Sequence, residues 1–507
     1  MASIASTAPR SDRAPAGDLE HDAASIHTSN GNVELHNDEK VKDPNIVEFD
    51  GPEDPENPLN WTPAKKFTAI AIISFLTFLS PLASTIIAPA TEDVLKEFGS
   101  TSETLGAFVT SVYLLGYVAG PLVIAPLSEM YGRSIVYQVC TTLFFVFSLA
   151  GAVANSLNTL LAFRFLAGLA GACPVTIGAG SIADMVSKEN RGGAMAAWAL
   201  GPMFGPSIGP IAGGYLTPVK GWRWMFWVLA MLTGVSALLT LLLQESYPYI
   251  VLKRKTARLQ KETGNPELRS ALDTGKSTRE FFIFSILRPL KMLIGSPVVF
   301  LIALYGSITY SYLYLCFTTF PRVFRGQYEF SQSQVGLVYL GIAVGSLVGL
   351  IICWALLDRM VASLTKRNGG EPRPEYRLPT VAIGALLVPA GLFLYGWTAE
   401  HKAHWFLPIL GTGLLGAGMV IGYMASLTYL VDTYTVYAAS VSASIVVLRS
   451  LMGALLPLAG NSMYNALGVG WGTSVLGFIA VAFIPAPLLL YIYGARIREI
   501  RLFGVVF

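Results

Sequence analysis

Charged residues are scarce in this sequence. Only 13% of its 507 residues are Asp, Glu, Lys or Arg, whereas a soluble domain carries about 25%. The deficit is concentrated in apolar runs of about 20 residues, each long enough to cross a hydrocarbon core of about 30 Å. With 53% hydrophobic residues and a mean hydropathy of +0.55, the composition excludes an ordinary soluble domain and predicts a helical protein that crosses the membrane many times.

Cysteine and histidine are also few, and their placement argues against several kinds of site. All four cysteines fall inside apolar runs, where small buried residues are expected rather than disulfide partners or metal ligands; they are Cys140, Cys173, Cys316 and Cys353. The sequence has no C-x-x-C motif and no histidine cluster, and no nucleophile stands with a base in a pattern typical of catalysis. We therefore predict no metal site, no cofactor and no enzymatic activity.

The first 60 residues lack the apolar stretch of a cleavable signal peptide. They are polar, with many Ser, Ala, Asp, Glu and Pro residues, and we predict a disordered cytoplasmic tail over residues 1–60. Where this tail ends, Trp61 stands close to Lys65 and Lys66. Such a combination suits the headgroup layer of a membrane.

The apolar runs number twelve and fall into two groups of six. We predict an all-α polytopic membrane protein with a six-helix bundle over 61–245, a basic connection over 246–296, a second bundle over 297–495 and a tail over 496–507. Most Lys and Arg residues of the connections fall on the side of the two tails. The positive-inside rule then places both termini in the cytoplasm.

The two groups of spans echo each other. Glu129 and Asp358 end spans 2 and 8, and each follows a glycine by nine residues. Asp184 and Asp432 end spans 4 and 10. Two similar halves around a long central connection are the plan of many secondary transporters.

The fifth span carries glycine and proline at a spacing of four residues. The glycines are Gly201, Gly205, Gly209 and Gly213, and the prolines that follow three of them are Pro202, Pro206 and Pro210. Residues four apart lie on one face of a helix, so one face of this span has no side chains. Each proline would cost about 3 kcal/mol in a soluble helix, whereas in a bilayer neighbouring helices satisfy the freed carbonyl groups. We predict a close helix–helix contact here and hypothesise that it opens and closes during function.

Several motifs resemble those of the major facilitator superfamily. In Glu129-Met-Tyr-Gly132-Arg133 an acid stands three residues before Gly-Arg, as in the signature loop between spans 2 and 3. Arg164-Phe-Leu-Ala-Gly168 resembles the family's membrane-embedded arginine motif, and the glycine–proline stretch of span 5 resembles the motif of its drug:proton antiporters. Further stretches resemble the fungal twelve-span branch, namely Asn57-Pro-Leu-Asn-Trp61, Gly221-Trp-Arg-Trp224, Glu375-Tyr-Arg-Leu-Pro379, Tyr429-Leu-Val-Asp432 and Leu448-Arg-Ser450. The resemblance covers residues 55–500.

The resemblance implies a latch of charges at the cytoplasmic edge. Its members would be Glu129, Gly132, Arg133, Asp184, Asp358 and Asp432. By analogy with the family, Glu129 is expected to meet the start of span 11, and Arg133 to pair with Asp184. The loop departs from the family pattern, because Glu129 replaces the usual Asp and only one basic residue is present instead of up to three. The alternative is that these charges merely mark the membrane edge.

Two arginines fall within predicted spans, where a charged side chain costs at least about 2.5 kcal/mol and is a functional hypothesis by default. Arg164 lies about one and a half turns into span 4. It would bias a nearby carboxylate or hold a substrate anion, unless it is a snorkelling side chain near the membrane surface. Arg449 lies in the middle of span 11 and is either a second anion or coupling site or a structural partner.

No carboxylate falls in the central third of a span. If protons drive transport, their carriers are then acids at the span edges, Glu129, Asp184 and Asp432 or Glu92 and Asp93. The resemblance implies that spans 1, 4, 7 and 10 line a cavity, and the tyrosines of span 7 suit planar lipophilic ligands, although core packing explains them as well. The expected substrate and proton pathway contains Arg164, Arg449, Tyr305, Tyr310 and Thr85.

These features, with the resemblance, predict a proton-coupled exporter of small amphiphilic organic compounds that works by alternating access. The expected partners are a small-molecule substrate, protons and the lipid bilayer, without nucleic acid, and the chain is expected to be a monomer. The expected location is the plasma membrane, with the vacuolar membrane as alternative. Two other functions stay open: a dedicated carrier of one metabolite or nutrient, such as a polyamine or organic acid, and a non-transporting receptor-like protein.

Overall fold

The computed structural model describes residues 45–51, 53–187, 190–273, 278–371, 373–434 and 437–499, and the predicted tails at 1–44 and 500–507 lie outside these ranges. The first half contains α1 (Pro63–Thr85), α2 (Thr91–Glu97), α3 (Glu103–Tyr131), α4 (Arg133–Ala152), α5 (Leu157–Gly171), α6 (Cys173–Met185), α7 (Arg191–Lys220) and α8 (Arg223–Thr240). The central connection contains α9 (Pro248–Thr263) and α10 (Thr278–Gly295). The second half contains α11 (Pro297–Phe320), α12 (Gly326–Tyr328), α13 (Gln332–Val338), α14 (Leu340–Arg367), α15 (Leu378–Glu400), α16 (Phe406–Thr433), α17 (Ala438–Phe483) and α18 (Pro485–Glu499).

Twelve membrane crossings can be traced in the described residues. Ten helical stretches are long and apolar enough to span a membrane. The last of them, Ser440–Gly494, has 55 residues, about 80 Å of helix, and therefore crosses twice. The bend lies at Gly468, whose φ of 75° is in the left-handed region that favours glycine. The twelfth crossing is the 30-residue helix α7, which the ten stretches leave out.

Proline explains where several crossings are interrupted. Pro89 lies in the short turn between α1 and α2, Pro174 is close to the start of α6, and Pro485 begins α18. A proline ring clashes with the preceding turn and lacks the N–H that the helix needs. These crossings are therefore built from two helical pieces each.

The helices form two bundles that meet along two contacts. In the first half α1 packs on α7, α3 on α5 and α4 on α8, and in the second half α15 packs on α16 and α11 on α17. The bundles meet where α3 packs on α17 and where α7 packs on α13 and α14. The predicted all-α architecture of two six-helix bundles is confirmed.

Residues 45–51 and 53–60 belong to the tail that we predicted to be disordered, and they lie against the central connection. A two-residue strand β1 (Ile46–Val47) pairs in parallel with β2 (Arg269–Ser270). The ammonium group of Lys255 on α9 donates to Asp54 at 3.0 Å, and both side chains are buried. Trp61 is also buried, and the ammonium group of Lys65 lies 3.8 Å from the centre of its ring. The disorder prediction did not foresee this contact, because the acids and their basic partner are about 200 residues apart in sequence.

The pair between Asp54 and Lys255 shifts the pKa of each group in the direction that favours its charged form. Burial alone would raise the pKa of Asp54, but the amides of Asp50 and Glu56, with the ammonium of Lys255, hold it below its usual value. Burial alone would lower the pKa of Lys255, but its hydrogen bonds to Asp50 and Asp54 raise it. The face of the bundle that carries residues 45–62, α9 and α10 is called the tail face below, and the other end is called the far face.

Candidate functional site

A cavity of about 120 Å³ lies between the two halves. Helices α1, α3, α6 and α7 of the first half and α11, α14, α16 and α17 of the second half contribute to its wall. Its lining residues are Pro81, Tyr117, Val175, Ala199, Pro202, Met203, Pro206, Ser207, Gly306, Tyr310, Leu313, Tyr314, Phe317, Ile342, Ser346, Leu350, Met419, Val420, Tyr423, Met424 and Arg449. Both bundles therefore form the site, as a transporter with two halves requires.

The wall of this central cavity carries five aromatic residues and three methionines among its 21 described lining residues. On α11 the lining residues Tyr310, Tyr314 and Phe317 follow a spacing of four and then three residues, which places them on one helical face. The hydroxyl groups of Tyr314 and Tyr117 are engaged by serines of α1, Tyr314 by Ser84 at 2.8 Å and Tyr117 by Ser80. These two rings are thereby held against α1 with their hydroxyls turned to the protein.

Arg449 is the one charged side chain among the described residues that line the cavity. Its guanidinium carbon lies 4.7 Å from the centre of the Tyr310 ring and 5.1 Å from the centre of the Tyr423 ring. Its Nε is buried and has no hydrogen-bond partner in the part of the chain that the structure covers. Two of the predicted pathway residues, Tyr310 and Arg449, are therefore brought together in this cavity.

Arg164 does not line the central cavity. Its guanidinium group is fully buried and donates to the carbonyl oxygens of Ala83 at 2.7 Å, Ser84 at 2.7 Å, Val109 at 2.9 Å and Thr110 at 3.1 Å. Ala83 and Ser84 belong to the last turn of α1, whose carbonyl groups lack partners within the helix and attract cations. The structure thus shows a clamp between α5, α1 and α3 instead of a snorkelling side chain or a partner of a carboxylate.

Two further predicted pathway residues also lie outside the cavity. The Thr85 hydroxyl donates to the carbonyl of Pro206 at 2.8 Å. This carbonyl has no donor within its own helix, because Pro210, four residues further along, lacks an N–H group. Tyr305 is buried against Gly422, and its hydroxyl has no partner among the described residues.

The glycine row of α7 packs against the backbone of α1. A Cβ atom added at Gly205 would lie 2.7 Å from the Phe78 carbonyl oxygen, and one added at Gly209 would lie 2.6 Å from the Leu82 carbonyl oxygen. Gly201 and Gly213 meet the same helix one turn earlier and later. The close contact predicted for this face therefore exists, and it joins two helices of the same half.

The proline row of α7 faces the other way. Pro202 and Pro206 line the central cavity. One turn on, the Pro210 carbonyl lies 2.9 Å from the Cβ position of Gly336 in the second half. The next carbonyl in the row, that of Gly214, accepts a hydrogen bond from Ser333 at 3.3 Å. It is freed by Pro218, so the second half satisfies a carbonyl of the first.

On the tail face, Arg133 joins α4 to its neighbours. Its Nε lies 3.3 Å from Asp184, as the resemblance implied, and its Nη1 donates to Ser128 at 2.6 Å. Gly132 has a φ of 102°, a left-handed value that favours glycine. Glu245 was missed as a functional residue, although it accepts from the Arg133 amide at 2.9 Å and would contact any Cβ at Gly132.

The second half repeats this arrangement with a different arginine. Arg377 donates to Asp432 at 2.6 Å and lies 4.0 Å from Asp358. Arg377 belongs to the motif Glu375-Tyr-Arg-Leu-Pro379, which resembles the fungal branch of the family, but the sequence analysis assigned it no partner. Glu129 does not bond to the start of α17 among the described residues; the charges nearest to it are Arg133 and Arg288.

On the far face, polar contacts join the two halves directly. Arg325 pairs with Glu92 at 2.9 Å, and Arg322 lies 3.3 Å from Glu103. Gln332 donates to Asp93 at 3.0 Å. Of the ion pairs between described residues, the ones that join the two halves lie here. Those of the tail face stay within one half or join the central connection to Asp50, Asp54 and Glu56. Glu92 and Asp93 are thus part of an inter-half contact that the sequence did not reveal.

Comparison with known proteins agrees with this architecture. Residues 73–457 match the family model of the Major Facilitator Superfamily. The chain is 56% identical over 471 residues to the MFS-type transporter penM of Penicillium rubens, which covers 93% of this chain and 92% of that protein. It is 48% identical over 463 residues to the efflux pump radE of Floropilus chiversii, and the match covers 91% of this chain and 86% of that protein. Among solved structures, the partially occluded inward open xylose transporter XylE from E. coli has a TM-score of 0.63 at 14% identity, covering 88% of this chain and all of that one; this likeness concerns the fold.

Proposed function

Because the chain belongs to the major facilitator superfamily, with fungal transporters as its relatives, we propose that it exports small amphiphilic organic compounds, driven by the proton gradient. The observation that carries the proposal is the aromatic and methionine-rich cavity between the two halves. Methionine side chains adapt to ligands of different shape, and aromatic rings stack on planar ones. One relative, 48% identical to this chain, is the efflux pump radE, and this supports export as the direction.

Alternating access would work by rocking the two bundles about this cavity. The far-face pairs Arg325–Glu92 and Arg322–Glu103 would hold one end shut and break when that end opens. Since the glycine row of α7 is packed against its own half, α1 and α7 would move together. The seam that opens would be the one between the proline row and α13, where Gly336 faces Pro210.

Proton coupling would then use acids at the ends of the spans, because the described lining of the cavity contains no carboxylate. Glu129, Asp184 and Asp432 on the tail face are one set of candidates. Glu92 and Asp93 on the far face are the other, and they lie beside the contacts that would break when that end opens. Both termini would be cytoplasmic, and a monomer in the plasma membrane is the expected form.

A dedicated carrier of one metabolite is the second candidate function. The single charge of the described cavity wall is positive. This disfavours a polyamine, which is a cation, and is compatible with an organic acid.

The test is export from yeast cells that lack their own pumps, with a panel of azoles, dyes and fungal metabolites, with and without a protonophore. We expect resistance to several compounds, lost when the protonophore is added. Resistance to one compound alone would favour the dedicated carrier. Export that continues with the protonophore would remove the proton from the mechanism, and no export of any compound would contradict the proposal.

A further inference from the structure

The central cavity holds a positive charge that the described protein groups do not neutralise. An arginine guanidinium group stays protonated in proteins, and burying a charge without a partner is costly. Arg449 has no ion pair in the described part of the chain, and its Nε has no hydrogen-bond acceptor. Its contacts are the rings of Tyr310 and Tyr423. A cation held by aromatic faces keeps its N–H groups available for an anion.

The acids of the neighbouring helices do not reach this arginine. On α3, Glu129 is twelve residues beyond the cavity residue Tyr117, a distance of about 18 Å along a helix. On α16, Asp432 is bound by Arg377 at 2.6 Å. The tyrosines around it do not replace a carboxylate: Tyr310 and Tyr423 present their rings to the guanidinium group, and the hydroxyls of Tyr117 and Tyr314 are engaged by serines of α1.

We propose that Arg449 is an anion subsite, and that the substrate is a planar organic acid bound in its anionic form. The inference rests on the proposed export function and adds the substrate class. A carboxylate, enolate or phenolate of the substrate binds the guanidinium group. The apolar body of the substrate lies between Phe317 on α11 and the methionines Met203 and Met419 on α7 and α16.

Arg164 supports this assignment by contrast, because it shows how this fold treats an arginine that is purely structural. Four carbonyl oxygens accept from its guanidinium group. Arg449 lies within a span of the other half and contacts two tyrosine rings at the cavity wall instead. Its guanidinium group therefore has N–H donors that a ligand in the cavity can use.

The test is binding to the purified full chain in nanodiscs, measured by calorimetry with three naphthalene probes of similar size. The probes are 2-naphthoate, an anion, methyl 2-naphthoate, a neutral ester, and 2-naphthylmethylammonium, a cation. We expect the anion to bind at least about tenfold more tightly than the ester, since hydrogen bonds to charged groups are the strong ones, and the cation to bind least. Equal affinity for anion and ester, or no binding of the anion, would overturn the subsite without any variant.

The variants then assign the preference to this residue. Arg449→Gln is expected to reduce the affinity for the anion about tenfold and to leave that for the ester unchanged, and Arg449→Lys to retain part of the preference. Lys366→Gln is the matched control, because it removes one positive charge from an exposed position at the end of α14. An equal loss for anion and ester in Arg449→Gln would assign the residue to structure.

Binding and export fail separately in this design. Anion binding that depends on Arg449, in a protein that exports nothing from yeast, would contradict the proposed function and leave the subsite standing. Export of acidic and neutral compounds that Arg449→Gln reduces equally, or not at all, would contradict the subsite and leave the export function standing.

Discussion

Arg164 and Arg449 both lie within membrane-spanning helices, and their surroundings differ in one decisive respect. Arg164 donates four hydrogen bonds to carbonyl groups of α1 and α3 and is closed off from the cavity. Arg449 stands over two tyrosine rings at the cavity wall, with its Nε unbound among the described residues. A buried arginine whose three nitrogens all donate to the protein holds helices together, whereas one with an unbound nitrogen can bind a ligand.

The largest effect is expected from removing the satisfied arginine. In Arg164→Leu the carbonyl oxygens of Ala83 and Ser84, in the last turn of α1, lose the donor that takes the place of a helical N–H. Each buried group left unpaired costs about 1–3 kcal/mol. We expect little folded protein, measured as the monodisperse fraction in size-exclusion chromatography after detergent extraction. Arg449→Leu is the matched control and is expected to stay folded, because the described chain offers no acceptor that depends on it. A folded Arg164→Leu protein that lost only transport would assign Arg164 to the substrate and remove the contrast.

A second prediction tests whether the α1–α7 contact holds these two helices together, as the Arg164 hydrogen bonds do for α5, α1 and α3. In Gly209→Ala the new Cβ would lie 2.6 Å from the Leu82 carbonyl and 2.8 Å from the Thr85 hydroxyl, so the two helices must separate. Overpacking of this kind costs about 1–3 kcal/mol, and we expect a lower thermal midpoint. Gly193→Ala on the same helix is the control, because nothing lies within 4 Å of its Cβ position. An unchanged midpoint in Gly209→Ala would show that the contact is loose and restore the hypothesis that this face opens.

Local sequence patterns reveal one part of this architecture, namely which segments are helices and which helix faces are bare. Composition and apolar runs predicted twelve crossings, and the spacing of four predicted a glycine face on α7. The pattern does not say which helix fills that face, because a bare helix face accepts any close neighbour. The same limit applies to the two arginines, because in the sequence both are charges within apolar runs. Only the fold shows that carbonyls of α1 accept from Arg164, and that no carbonyl of the described residues accepts from the Nε of Arg449. Thr85 and Tyr305 were placed in the pathway by their span, although each faces another helix.

A third prediction concerns exposed charges, whose pairing is weak. The pair between Arg322 and Glu103 is partly exposed, so it contributes less than about 1 kcal/mol, but it joins the two halves. In Arg322→Glu we expect the far face to open more often. The measurement is labelling of a cysteine placed in the cavity by Ser346→Cys, with an impermeant maleimide added from that face, and we expect labelling to rise several-fold. Adding Glu103→Arg restores the opposite charges and should return labelling to its starting value. Labelling that stays constant in the single variant would show that other contacts hold this face shut.

The smallest effect is expected at the satisfied cation outside the membrane, Lys255. Because the pKa of Asp54 is lowered in the folded chain, its contribution is complete above the unfolded pKa near 4 and is lost as the pH falls through the lower folded value. The raised pKa of Lys255 acts at the other end, where the contribution is lost as the pH rises through it, so docking of residues 45–62 should be constant between about pH 5 and 9. In Asp54→Asn we expect faster hydrogen exchange of residues 45–62 by a factor of about ten, since Asp50 still reaches Lys255, and unchanged exchange in the spans. Exchange that also rises in α1 would show that the docked N-terminal segment stabilises the bundle. Losing the Asp54–Lys255 pair would then destabilise helices that neither residue contacts.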